Sequence, residues 1–119
     1  MSFKFKLFLV LGVLIFTPGC DDDDDSGTPD AHIDDILALT GDSTAGATVY
    51  SNTCATCHGA DGSGGSGPAL TSEMSEQSDE EFVSIVLYGE DRMPAQSQLS
   101  DQEIADVLSY CRDTFGAGE

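Results

Sequence analysis

Cys54-Ala55-Thr56-Cys57-His58 brings two thiols and an imidazole together within five residues. Three chemistries use a pair of cysteines separated by two residues. A structural zinc site needs four ligands, and no second ligand pair stands at a suitable spacing. A thioredoxin-like redox pair expects a strand–helix setting. Here the flanks predict helix and loop instead. Asp42-Ser43-Thr44 supplies N-cap chemistry ahead of a helix over residues 45–52, and residues 59–67 form a Gly- and Ser-rich loop. The third chemistry is covalent haem attachment: each thiol adds to one vinyl group, and the next residue's imidazole becomes an axial ligand of the iron.

Further towards the N-terminus, Lys4 and Lys6 form a basic head and residues 7–16 an uncharged run. That run falls short of the roughly 20 apolar residues needed to span a bilayer. Basic head, short apolar middle and small-residue end describe a secretory signal peptide over residues 1–19. Gly19-Cys20 resembles the lipobox of bacterial lipoproteins, which implies that Cys20 becomes the lipidated first residue of the mature chain. Ordinary cleavage nearby, leaving Cys20 as a thiol, is the alternative. Either way the domain is expected to work outside the cytoplasm, on the periplasmic side or at the surface of a bacterial membrane.

The chain of 119 residues has room for one domain. Only 39% of it is hydrophobic, much of that in the signal. A small core of this kind calls for a disulfide, a metal, a cofactor or a partner. Charge is lopsided as well. With the signal removed, Arg92 and Arg112 stand against 22 acids, a balance of −20. Such a surface has nothing to neutralise phosphates, which argues against nucleic acid, and it is repelled by anionic lipid. Residues 20–42 read as anchor Cys, acidic linker and N-terminal arm. Asp21 to Asp25 repel one another, and the run lacks the spacing of a calcium loop.

Apolar spacing places Ile33, Ile36, Leu37 and Leu39 on one side of a short helix or extended arm. Ser78-Asp79-Glu80-Glu81 opens a helix with acids at its positive end, Phe82, Ile85 and Val86 share a face, and Tyr88-Gly89 stops it. Ser100-Asp101-Gln102-Glu103 has the form of a capping box and starts a last helix with Ile104, Val107, Leu108, Cys111 and Phe115 inward. Gly116 ends it. No run alternates with a two-residue period, so the fold class is all-α with long loops.

Residues from about 43 to 117 resemble a small class I cytochrome c. Ala45-Gly46-Ala47-Thr48-Val49-Tyr50 is similar to that family's first helix, with Gly46 small enough for close helix contact. Gly67-Pro68-Ala69-Leu70 resembles the segment whose proline carbonyl accepts from the proximal imidazole, and Tyr88-Gly89-Glu90-Asp91-Arg92-Met93-Pro94-Ala95 the loop that delivers the distal methionine. Residues 99–115 resemble the C-terminal helix, with Tyr110 at the aromatic position that meets the first. The resemblance implies three to four helices and long loops packed around one covalently bound haem c, in a domain over residues 43–119. It implies attachment at Cys54 and Cys57, iron ligation by His58 and Met93, orientation of His58 by Pro68, and packing of Leu70 on the haem. A porphyrin would also supply the missing core.

Other candidates have plainer readings. Met74 lies in an acidic stretch with no loop pattern around it, and His32 is a lone histidine on the arm. Arg92 either pairs with a haem propionate or is a solvated surface group. Cys111, on the apolar face of the last helix, reads as a buried inert thiol. A thioether and an imidazole hold iron six-coordinate in both oxidation states, which suits electron transfer and no substrate conversion. The expected function is therefore a membrane-tethered electron carrier, not an enzyme. A gas or redox sensor with a displaceable Met93 is the alternative; a peroxidase lacks any visible distal acid–base group. The acidic surface predicts redox partners with a basic or apolar docking face, and the lipid supplies the link to the membrane.

Overall fold

The computed structural model describes residues 29–116, which form six α-helical segments and one π-helical turn. The segments are α1 (Pro29–Leu37), α2 (Ser43–Val49), the π-helical turn (Tyr50–Cys54), α3 (Ala55–His58), α4 (Leu70–Glu76), α5 (Asp79–Tyr88) and α6 (Asp101–Phe115). Among these residues there is no strand, only an isolated bridge between Glu90 and Met93. The all-α expectation therefore holds.

Asp42 caps α2, its carboxylate accepting from the amides of Thr44 at 2.8 Å and Ala45 at 3.2 Å. This satisfies donors that the first helical turn leaves without partners. The helix does not stop near residue 52. It widens through the π-helical turn and continues as α3 to His58, so that the cysteines and histidine ride on the end of one helical rod. A turn with an extra residue leaves no mark in short apolar spacing, which is why the sequence predicts a shorter element.

α2 meets α6 in close contact at Gly46. A Cβ there would lie 1.9 Å from the carbonyl oxygen of Asp106 and 2.8 Å from Cβ of Tyr110. The two backbones touch, as the small residue in the first helix implies. Asp106, buried on α6, strengthens the join by accepting from the Asp42 amide at 2.8 Å and from Gln102 Nε2 at 2.9 Å. All five predicted apolar positions of α6 are buried, and the Ser100–Glu103 capping box is present at its start. A second capping box, Ser78–Glu81, starts α5. On that helix Val83 is fully buried and Ile85 only half so; the inward face runs 82, 83, 86 rather than 82, 85, 86.

Two further elements sharpen or depart from expectation. α1 is the short helix of the two readings for this stretch: Ile33 and Ile36 are buried, the helix packs against α5 and α6, and Leu39, beyond its end, is exposed. The compact unit thus begins ahead of residue 43, with the predicted arm built into it. α4 has no counterpart in the sequence reading because acids and serines obscure its Leu70/Met74 pair, which lies one helical turn apart and is buried. Arg112 of α6 ties α4 to α5. Its guanidinium donates to the carbonyl of Met74, to that of Gln77 at 2.6 Å, and to the Asp79 carboxylate at 2.7 Å. A cation is placed on the orphan carbonyls at one helix end and beside an acid at the start of the next.

Candidate haem-attachment site

Cys54 closes the π-helical turn, half-buried against the core, and Cys57 is exposed one turn further on. Both thiols are free. Burial, and then the neighbouring Cys57, push the Cys54 thiol up to about 11. His58, at the end of α3, is 7% exposed, and its Nδ1 lies 2.8 Å from the carbonyl oxygen of Pro68. A carbonyl only accepts, so the proton resides on Nδ1 and the lone pair is on Nε2. Gly67 makes this possible by close approach: a Cβ there would sit 3.0 Å from Cε1 and 3.1 Å from Nδ1 of the imidazole.

The loop after the histidine is fastened to the end of α3. The carbonyls of Cys57, His58 and Gly59 accept from the amides of Gly67 at 2.9 Å, Gly64 at 2.8 Å and Gly62 at 3.1 Å, respectively. The Gly59 carbonyl also accepts the Tyr50 hydroxyl at 2.6 Å. Desolvation pushes that hydroxyl up to about 12, so it stays a donor throughout the neutral range. Tyr50, Tyr110 and Phe115 form a ring cluster beside this loop, with centroids 5.3 to 5.8 Å apart. This confirms the predicted meeting of Tyr110 with the first helix. The Tyr50–Gly59 bond escaped sequence reading; a tyrosine at a buried helical position was its one available signal.

Leu70 is buried at the start of α4. Met93 is half-buried and packs against the core from the loop after α5. That loop is closed by paired backbone bonds between Glu90 and Met93, at 2.8 and 3.0 Å, and by Gln96 donating to the Val86 carbonyl at 2.8 Å. Met74 is 1% exposed within the helical core, which accounts for it as filling. His32 faces Asp101, Nε2 to Oδ1 2.9 Å, and Arg92 is exposed. Cys111 is 1% exposed, and burial pushes its thiol up to about 12, in keeping with an inert group. Cys20 lies outside the described residues.

These residues fit a covalently bound haem. Two free thiols directly precede a buried imidazole whose Nδ1 is engaged by the Pro68 carbonyl, which leaves the lone pair on Nε2. Among the described residues no group of three or more His, Cys, Asp or Glu side chains converges to hold an ion by itself. An all-helical globule carrying Cys-x-x-Cys-His on its first long rod, with the histidine held by a proline carbonyl, is a small class I c-type cytochrome.

Comparison with known proteins agrees. The family model described as cytochrome c oxidase, cbb3-type, subunit III matches residues 41–110, and the chain belongs to this family of c-type cytochromes. A cytochrome c-553-like protein of Synechocystis sp. is 31% identical over 83 residues, covering 70% of this chain and 79% of the relative. Cytochrome c6 of Thermosynechococcus vestitus is 34% identical over 87 residues, covering 68% and 78%. Among solved structures, cytochrome c6 of the diatom Phaeodactylum tricornutum superposes with a TM-score of 0.55 at 33% identity, covering 66% of this chain and 100% of that one. Cytochrome CL of Methylophaga aminisulfidivorans gives the same TM-score at 24% identity over 61% of this chain and 53% of its own, a likeness of fold. Membership brings one covalently bound haem c, which Cys54 and Cys57 suit, and haem-based electron transfer in place of enzymatic turnover.

Proposed function

We propose that the chain is a monohaem electron carrier with His58 and Met93 as the axial donors and thioether bonds at Cys54 and Cys57. The bond from His58 Nδ1 to the Pro68 carbonyl carries this reading. It fixes the tautomer and ring plane, and makes Nε2 a stronger donor. When bound, the haem supplies a one-electron iron couple. The protein's part is to hold two donors of opposite character in place. His58 is anchored to the core, while Met93 offers a soft thioether that favours reduced iron. Leu70, buried at the start of α4, would pack against the bound haem.

The closed Glu90–Met93 loop supports a retained sixth ligand and so a carrier rather than a sensor. Carbon monoxide added to the reduced protein should leave the Soret band nearly unchanged; rapid, complete binding would contradict the carrier reading. Export by residues 1–19, lipidation at Cys20 and an acidic tether complete the proposal. No helix among the described residues is long and apolar enough to cross a membrane. The redox partner offers a basic or apolar docking face. Its reaction with this carrier should slow as salt rises, whereas a rate independent of ionic strength would exclude a basic partner.

A further inference from the structure

Tyr50 stands where α2 gives way to the π-helical turn, 2% exposed, its ring against Tyr110 and Phe115. That packing needs an aromatic ring but no hydroxyl. A phenylalanine would fill the space, and a hydroxyl buried without a partner costs free energy. The hydroxyl reaches past the attachment segment to the Gly59 carbonyl, the first after His58, at 2.6 Å. From the three carbonyls of residues 57–59 hangs the loop that leads to Pro68. The opposite side of the loop rests on the same aromatic cluster: a Cβ at Gly62 would lie 2.6 Å from Cε1 of Phe115. Tyr50 therefore touches both supports of the loop, its hydroxyl the backbone and its ring Phe115.

We propose that Tyr50 is a positioning residue for the axial imidazole: its hydroxyl pins the Gly59 carbonyl, and with it the loop that sets the Pro68 carbonyl against His58 Nδ1. This rests on His58 being the iron ligand. Loosening the loop lengthens the bond to Nδ1, weakens the electron donation of Nε2, and shifts the preference of the iron towards its reduced state.

The test uses the haem-loaded protein with Tyr50→Phe, which keeps the ring, and Tyr110→Phe, which removes a hydroxyl from the same cluster. Hydrogen exchange is read by NMR at the Gly62, Gly64 and Gly67 amides and at His58 Nδ1–H, alongside the midpoint potential. In Tyr50→Phe these protons should exchange roughly tenfold faster, the loss of one buried hydrogen bond, with α6 amides unchanged. The potential should rise. Tyr110→Phe should leave both readouts at wild-type values. Unchanged exchange in Tyr50→Phe would overturn the proposal, as would equal acceleration in α6 or failure to attach haem, each marking a general structural role. Faster exchange at an unaltered potential would overturn the link to the imidazole. If His58 were not the ligand, the wild-type spectrum would already lack its low-spin signature, so the two failures are distinguishable.

Discussion

On the His58 side of the site, five hydrogen bonds fasten the end of α3 and its loop: the Pro68 carbonyl holds the imidazole, three glycine amides meet successive carbonyls, and Tyr50 adds its hydroxyl. On the Met93 side, three backbone bonds, the Glu90–Met93 pair and Gln96 to the Val86 carbonyl, close a short loop whose Arg92, Pro94 and Ala95 are exposed. Of the two proposed donors, His58 is fastened at the end of the helical rod and Met93 is carried on a surface segment. A ligand of the first kind should be lost only with the fold, and one of the second kind without it. The asymmetry suits the proposed carrier, in which His58 would set the frame and Met93 would tune the potential.

Several substitutions would break or sharpen this contrast. The largest effect is expected at the α2–α6 crossing, which holds the helical rod that ends in His58. Gly46→Ala drives a methyl into the Asp106 carbonyl, 1.9 Å away, and should cost about 3 kcal/mol or more in chemical denaturation, with reduced haem attachment. Ile36→Ala, in the fully buried position of α1, should cost about 3 kcal/mol. An effect below about 0.5 kcal/mol would mean that α1 is a detachable arm. Arg112→Leu removes the tie between α4 and α5 and should cost about 1–2 kcal/mol, since the guanidinium is partly exposed. It should leave the visible spectrum intact, because Arg112 bonds Met74, Gln77 and Asp79 and neither of the proposed iron donors.

The effect confined to high pH is on alkaline stability. Burial raises Cys111 from 9.0 to about 12 and Tyr50 from 10.0 to about 12. The unfolded chain ionises first, so the stability held below pH 9 should fall as pH climbs from there towards 12. Cys111→Val should flatten the lower part of that decline, measured by denaturant titration at successive pH values. An unaltered profile would separate the buried thiol from alkaline unfolding.

What was legible in the sequence was local. Cys54-Ala55-Thr56-Cys57-His58, the Ser100–Glu103 box and Gly46 each announce a specific chemistry or contact within a few residues, and the structure places them accordingly. The ring of His58 met Pro68 as the family resemblance implied. What stayed hidden depends on partners distant in the chain. The burial of α1 is decided by α5 and α6, and α4 reads as a polar stretch until Arg112 covers its carbonyls. The hydroxyl of Tyr50 becomes informative only once its ring is known to be buried. The acidic surface was legible as charge but not as a docking face, because composition carries no geometry.

The most direct measurement is the reduced-minus-oxidised visible spectrum of the wild-type protein beside Met93→Ala. The wild type should show a low-spin, covalently attached c-type haem. The variant should keep the covalent attachment and the His58 side while turning high-spin or binding an external ligand. An unchanged low-spin spectrum in Met93→Ala would remove Met93 from the iron and contradict the account of a carrier with one anchored and one tunable donor.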